Sequence, residues 1–197
     1  LFLGKLNEKD SAIIDKTTST IIDQVASMDA MVSAFANYAN TPEIQKISSS
    51  LNALVNKAVS LYDAQEGVGI DLDLSGNLPE LQLDVDGISR VLINLIKNAT
   101  EASREQKRLN IVIRTRYRVS ENIVRLSVTD DGDGFPSEIL DQVFEPYITT
   151  KTKGSGLGLA ICQNIIEQHD GQIYASNIEP HGARITIEFS IIGGKRS

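Results

Sequence analysis

Cysteine occurs once in this chain of 197 residues, at Cys162, which excludes an internal disulfide framework and fits a reducing compartment. The thiol stands in an apolar helical pattern, where a small buried residue is the expected role. Positive charge is also scarce: 19 Lys and Arg against 26 Asp and Glu leave a net charge of −7, with no long basic run. That excludes a general grip on a DNA or RNA backbone and points away from nucleic acid as a partner; any phosphate site must be local. No stretch approaches the ~18 consecutive apolar residues of a membrane span. The first residues, LFLGKLNEKD, lack both a starting Met and a signal-peptide layout, so the chain reads as a piece of a longer protein, and a membrane anchor would belong to the parent. No internal repeat is evident.

What is present is a hydrophobic content of 41%, enough for one sizeable core with a smaller module beside it. From Asn7 to Tyr38, Ile13, Ile14, Thr17, Ile21, Val25, Met28, Val32 and Phe35 recur at three- and four-residue steps, which predicts one long amphipathic helix. A single helix cannot bury its stripe alone and needs a partner helix from this chain or a second copy, or a seat on its own globular domain. Pro42 marks the boundary, dividing a helical module, 1–41, from an α/β domain, 42–197. In the second part SSLNALVNKAVSLY predicts a helix started by Ser49 or Ser50, and GIDLDL and LQLDV alternate like strands. DGISRVLINLIKNATEAS returns to helical spacing with Asp86 as its cap. LNIVIRTRYRV and NIVRLSVTD form an antiparallel pair. Residues 131–156 read as a long loop, functional or disordered, in which SEILDQVF could form a short helix. The helix LGLAICQNIIEQ and the strands GQIYAS and ARITIEFSII close the chain.

Three segments carry chemistry. Asn94 and Asn98 lie four apart on one helix and share a face, offering neutral carbonyl oxygens that can ligate Mg²⁺ beside phosphate and water; taken alone, the pair also fits solvated or capping amides. In VTDDGDGFP, Asp130 ends a strand and only accepts hydrogen bonds, so it can select the amine of adenine over the acceptor that guanine presents there. Gly132 and Gly134 let the backbone turn sharply and approach a ligand; a plain Asp-Gly turn fits the same residues. In ITTKTKGSGLGLAICQNI, Gly154, Gly156 and Gly158 precede a helix start whose free N–H groups can cradle a triphosphate, with Lys151 and Lys153 adding local positive charge. The segment is neither G-x-x-x-x-G-K-[ST] nor G-x-G-x-x-G, which excludes the common P-loop and weakens a Rossmann reading; a flexible linker remains open.

In this order the segments resemble the ATP-binding catalytic domain of sensor histidine kinases, within the wider GHKL family that includes gyrase, Hsp90 and MutL. LINLIKNATEA is similar to the family's asparagine motif, DDGDGFP to its first glycine motif, VFEPYITTK to its phenylalanine motif and GSGLGLA to its second glycine motif. The wording FEPYITTKTKGSGLGLAI looks most like the nitrogen-regulation subgroup, NtrY or NtrB. The resemblance covers about Ser50 to the end strongly and the N-terminal helix more loosely. It implies a two-layer α/β (α+β) sandwich, with a mixed, mostly antiparallel sheet packed on helices and a long amphipathic helix in front.

The resemblance also implies ATP and Mg²⁺ as cofactors. Asn98 would ligate the metal, Asn94 and Lys97 face the phosphates, and Asp130 bind the adenine amine, with Gly132 and Gly134 shaping the base pocket. Residues 136–156 would form a mobile lid anchored by Phe144, with Tyr147, Thr149 and Thr150 helping to position it. Lys153, Gly154, Ser155, Gly156, Leu157 and Gly158 would line the phosphates. Hydrolysing relatives carry a glutamate one turn before the magnesium asparagine, where this chain has Asn94, so the site would hold ATP without efficient hydrolysis. Transfer then needs an external nucleophile. In the family this is a histidine on a dimerisation hairpin, followed by Glu and Pro; His169 and His181 stand in no such pattern. The expectation is a fragment that begins after the acceptor, with no catalytic histidine of its own, binding ATP yet unable to phosphorylate itself. Its parent would be a homodimer through the hairpin, anchored in the bacterial inner membrane with this part cytoplasmic, and would serve an NtrX/NtrC-like response regulator. A GHKL-fold ATPase or serine-directed kinase, and a non-catalytic nucleotide-binding module, are the alternatives.

Overall fold

The computed structural model describes residues 17–18, 44–62, 67–102, 109–151 and 154–191. The expected helix from Asn7 to Tyr38 lies outside them except for Thr17 and Thr18, which are helical; Lys153 also lies outside. The chain divides into two compact units, Leu1–Thr41 with Thr149–Ser155, and Pro42–Ile148 with Gly156–Ser197. In the first unit a turn is closed by the Lys151 N–H donating to Thr149 Oγ1 at 3.1 Å and the Gly154 N–H donating to the Lys151 carbonyl at 3.2 Å.

The second unit runs β1 (Ile47–Ser49), α1 (Leu51–Val59), β2 (Val68–Leu74), β3 (Leu81–Leu83), α2 (Val85–Thr100), β4 (Leu109–Arg118), β5 (Ile123–Asp130), a 3-10 turn (Leu140–Gln142), α3 (Gly158–Gln168), β6 (Gly171–Asn177) and β7 (Ala183–Ser190). Five strands form one sheet in the order β2-β4-β5-β7-β6, and β1 pairs with β3 in a separate ribbon. Only β2 and β4 run parallel; the other neighbours are antiparallel. This is the mixed, mostly antiparallel sheet on helices that the family resemblance implies.

Strand periodicity explains the layering. Ile111 and Ile113 of β4, Val124, Leu126 and Val128 of β5, and Ile185, Ile187 and Phe189 of β7 fall at every second position and are buried on one face. Against them lies the stripe Ile88, Val91, Leu92, Leu95, Ile96 and Ala99 of α2, with Cys162 and Ile166 of α3, in one continuous core. Each large aliphatic side chain so buried contributes roughly 1.5–3 kcal/mol. Cys162 has no exposed surface, and burial pushes its thiol up to about 12, so it stays protonated and inert. A buried polar junction ties this core to the start of the unit. Thr115 Oγ1 donates to Asn52 Oδ1 at 2.9 Å and accepts from the Ser75 N–H at 3.0 Å, while Asn52 Nδ2 donates to the Ser75 carbonyl at 2.9 Å.

Helix starts follow from their caps. Ser50 caps α1, its Oγ accepting from the Ala53 N–H at 3.3 Å. The cap of α2 is Asp84 rather than Asp86: the Ile88 N–H already bonds to the Asp84 carbonyl at 2.9 Å, which places Asp86 inside the first turn. The Asp84 N–H in turn donates to His169 Nε2 at 2.9 Å, and His169 Nδ1 lies 2.6 Å from the Ile165 carbonyl. The tautomer with its proton on Nδ1 satisfies both, so this buried ring is a fastener between α2 and α3. Two elements differ from expectation. SEILDQVF forms only the 3-10 turn, and β1 is a three-residue strand of exposed and half-buried residues whose partner, β3, specifies it. No helix among the described residues is long and apolar enough to cross a membrane.

Candidate functional site

The acidic turn begins where β5 ends. Asp130 is 8% exposed, and its Oδ1 accepts from the Gly132 N–H at 3.0 Å and the Ala183 N–H at 3.3 Å. Burial raises the carboxyl above the ordinary carboxylate value, and the two N–H donors pull in the opposite direction. Both bonds end on Oδ1. The arrangement fixes one carboxylate oxygen and leaves Oδ2 outside these two bonds.

The turn then docks on the end of the asparagine helix. A Cβ on Gly132 would stand 2.7 Å from the Ala102 Cβ and 2.8 Å from the Ala102 carbonyl oxygen, and the Asp133 N–H donates to that carbonyl at 3.1 Å. Gly134 has φ +73, and its Cβ would meet Asn177 Oδ1 at 2.9 Å and the Gly182 carbonyl at 3.0 Å. Asn177 clamps the next residue from both sides, accepting from the Phe135 N–H at 2.8 Å and donating to the Phe135 carbonyl at 2.7 Å. The space beside Gly132 and Gly134 is therefore filled by protein, where the sequence suggested an approaching ligand.

The glycine entrance to α3 works differently along its length. Gly156 has φ +67, and a Cβ there would lie 2.5 Å from the Tyr147 carbonyl carbon and 2.8 Å from the Ile148 nitrogen. The Tyr147 N–H donates to the Gly156 carbonyl at 3.0 Å, so the backbone crosses itself at this glycine. Gly154, in the other unit, is crowded by Thr149 Oγ1 at 2.6 Å. Gly158 alone of the three faces the asparagines: its Cβ would sit 3.9 Å from both Asn94 Oδ1 and Asn98 Nδ2. Leu157, 2% exposed, is buried at this entrance.

The structure thus brings together Asn94, Asn98 and Gly158, and sets Asp130 on a turn resting against the end of the same helix. Lys97 is exposed on the last turn of α2. Phe144 is half-buried against the core, and Tyr147 is exposed with φ +70. Thr149, Thr150, Gly154 and Ser155 fall in the first unit, and Lys153 outside the described residues. Ala102, Asn177 and Gly182, which hold the acidic turn, are absent from the sequence reading. A Gly182 Cβ would overlap the Asp130 carbonyl oxygen, and the only sequence sign of this is one glycine in a hairpin. Among the described residues no group of three or more His, Cys, Asp or Glu could hold a metal ion.

Residues 83–191 match the family described as Histidine kinase-, DNA gyrase B-, and HSP90-like ATPase. The chain is 40% identical over 140 residues to the sensor histidine kinase ZraS of Escherichia coli O157:H7, covering 70% of the chain and 30% of the relative. It is 33% identical over 201 residues to the nitrogen regulation protein NtrY of Azorhizobium caulinodans, covering 98% of the chain and 25% of the relative. The chain therefore spans only about a quarter to a third of these curated relatives. Among solved structures, the nucleotide-free catalytic domain of the histidine kinase ThkA superposes with a TM-score of 0.66 at 31% identity, over 75% of this chain and 96% of that one. ThkA in complex with the response regulator protein TrrA gives a TM-score of 0.73 at 25% identity, over 95% of this chain and 52% of that one. With the acidic turn, the asparagine face and the glycine entrance all inside the matched span, the chain belongs to the histidine kinase-, DNA gyrase B-, and HSP90-like ATPase family.

Proposed function

We propose that this chain is the ATP-binding catalytic part of a two-component sensor histidine kinase of the nitrogen-regulation type. The observation that carries the reading is the position of Gly158, whose missing side chain leaves space in front of the Asn94 and Asn98 amides at the start of a helix. The first N–H groups of α3 have no partner within the helix and carry partial positive charge, which suits a polyphosphate. Asp130 would accept the adenine amine through Oδ2, the oxygen outside its bonds to Gly132 and Ala183, on a turn braced against the same helix. Asn98 would hold Mg²⁺ through its amide oxygen with Asn94 and Lys97 toward the phosphates, and the ion would neutralise phosphate charge during transfer. Gly132 and Gly134 shape the base pocket indirectly, by letting the turn sit against Ala102 and Asn177. Phe144, Tyr147, Thr149 and Thr150 would position the segment that covers the nucleotide, and Lys153, Gly154, Ser155, Gly156 and Leu157 its phosphate side.

Asn94 cannot take a proton from water at neutral pH, which favours transfer to an external nucleophile over hydrolysis. His169 does not serve as that nucleophile, because both ring nitrogens are engaged, with the Asp84 N–H and the Ile165 carbonyl. The acceptor is a histidine of the parent's helical hairpin, outside this chain, from which phosphate passes to the aspartate of an NtrX/NtrC-like response regulator. The kinship with ZraS and NtrY and the ThkA–TrrA complex support this reading. The parent is a homodimer through that hairpin, anchored in the bacterial inner membrane with this part in the cytoplasm. The test mixes the chain with labelled ATP, Mg²⁺ and the parent's separately made hairpin. Acid-labile phosphohistidine on the hairpin is expected. Acid-stable phosphoserine, or steady phosphate release without a labelled hairpin, would contradict it.

A further inference from the structure

The face of the sheet turned away from the helices carries charge of the sign this chain otherwise lacks. A cleft of about 270 Å³ opens there, and four arginines, Arg114, Arg116, Arg125 and Arg184, line it. Register explains the concavity. Ser127 of β5 lies between Arg114 of β4 and Thr186 of β7, and Thr186 in turn pairs with Tyr174 of β6, so two short hydroxyl side chains form a floor. Arg125 and Arg184 stand in the flanking rows, opposite Glu188 and Thr129 respectively. The floor hydroxyls of Ser127 and Thr186 are 8% and 4% exposed at the residue level, low beneath the guanidinium groups.

The arginines are only partly neutralised. Arg114 donates Nε to Asp73 Oδ2 at 2.8 Å, and Arg116 donates to the same carboxylate. Arg125 gives Nε and Nη2 to Glu188 Oε1. Arg184 gives Nε to Thr129 Oγ1 at 3.1 Å and has no carboxylate partner among the described residues. Four guanidinium groups thus face two carboxylates, a local excess of two positive charges within a chain of net charge −7. The terminal amino groups of Arg114 and Arg184 form no hydrogen bond to the described residues. A strand face evolved only for solubility would intersperse signs, and a fully paired ion network would leave no fork open.

We infer that this cleft binds a small dianion bearing carboxylate or phosphate oxygens, held by the free forks of Arg114 and Arg184 over the hydroxyls of Ser127 and Thr186. The guanidinium fork matches the geometry of both oxyanions, and the charge excess matches two negative charges. The site lies on the opposite face of the sheet from the asparagine helix.

The inference is tested by titrating isotope-labelled chain with succinate and, in a separate arm, with inorganic phosphate, with acetate as the monoanion control. Saturable amide shifts on the outer strands β4, β5 and β7, stronger for a dianion than for acetate, are expected; the arm that binds more tightly identifies the source. Arg184→Ala should weaken binding about tenfold, and Arg184→Lys, which keeps the charge but loses the fork, should weaken it also. Asp73→Asn, which removes a competing carboxylate, should tighten it about threefold, an effect that misfolding cannot produce. No saturation by either dianion at millimolar concentration, shifts centred elsewhere, or equal affinity in all three variants would overturn the inference.

Discussion

The two glycine-bearing turns look alike in sequence and differ in what fills the space beside them. In the first, after Asp130, the directions a Cβ would take from Gly132 and Gly134 end on Ala102, Asn177 and Gly182. In the second, Gly156 is demanded by the crossing of the Tyr147–Ile148 backbone, while Gly158 looks onto the amides of Asn94 and Asn98 with no closer contact than 3.9 Å. One turn uses glycine so that protein can pack on protein, and at Gly158 the other leaves room for a methyl at ordinary contact distance, which the proposed function assigns to the nucleotide. Glycine spacing alone does not separate these roles; the neighbour within reach of the missing methyl does.

The comparison is most sharply tested where the first turn is tightest. Gly182→Ala, at φ +109 with its new methyl driven into the Asp130 carbonyl, should lose about 3 kcal/mol or more of stability in denaturant unfolding. A ligand-serving glycine there would instead leave stability intact and impair binding. Next in size, Asp130→Asn should cut the preference for ATP over GTP by roughly 30-fold in competition binding, because an amide oxygen still accepts from Gly132 and Ala183 while the presented group turns donor. Its stability effect has the opposite sense. The folded carboxyl titrates above its unfolded value, so its contribution is complete below the unfolded value and is lost as pH rises through the folded one. The Asn variant should therefore gain on the parent chain as unfolding is measured from pH 4 toward pH 7.

In the second turn, Gly158→Ala should fold with stability within about 1 kcal/mol of the parent, since alanine is the better helix former and its methyl meets only ordinary contacts. It should nevertheless weaken ATP binding about tenfold in calorimetry, by occupying the space before the amides. Unchanged affinity would assign Gly158 to packing as well and remove the contrast. The smallest effect belongs to Asp73, far from both turns. Hydrogen bonds from Arg116 and then Arg114 hold its carboxyl down to about 2, so its contribution is present above the unfolded value near pH 4 and fades as pH falls toward about 2. Being solvent-exposed, it should shift the melting temperature of Asp73→Asn only slightly, and less still in high salt.

Much of this was legible beforehand for identifiable reasons. β4 and β5 follow one another with strand-like patterns, so their antiparallel pairing is expected, and the stripe of α2 predicts its buried face; that β7 pairs with β5 is not. Asn94 and Asn98, four apart, share the helix face beside which Gly158 lies, as their spacing predicts. What stayed hidden depends on distant partners. β1 exists because β3 pairs with it, and Asp84 rather than Asp86 begins α2, with His169, 85 residues on, accepting from its N–H. Asn177 carries no local sign of its grip on Phe135, and the arginine cleft emerges only when four strands lie side by side.

The central claim is that one helix, α2, gathers the adenine-reading acid and the phosphate-side amides around a single ligand. Titrating ¹⁵N-labelled chain with ATP and Mg²⁺ tests it most directly. The account predicts saturable shifts centred on Asn94, Asn98, Asp130 and Gly158, weaker with GTP; shifts that never saturate, or that gather on residues remote from these four, would contradict it.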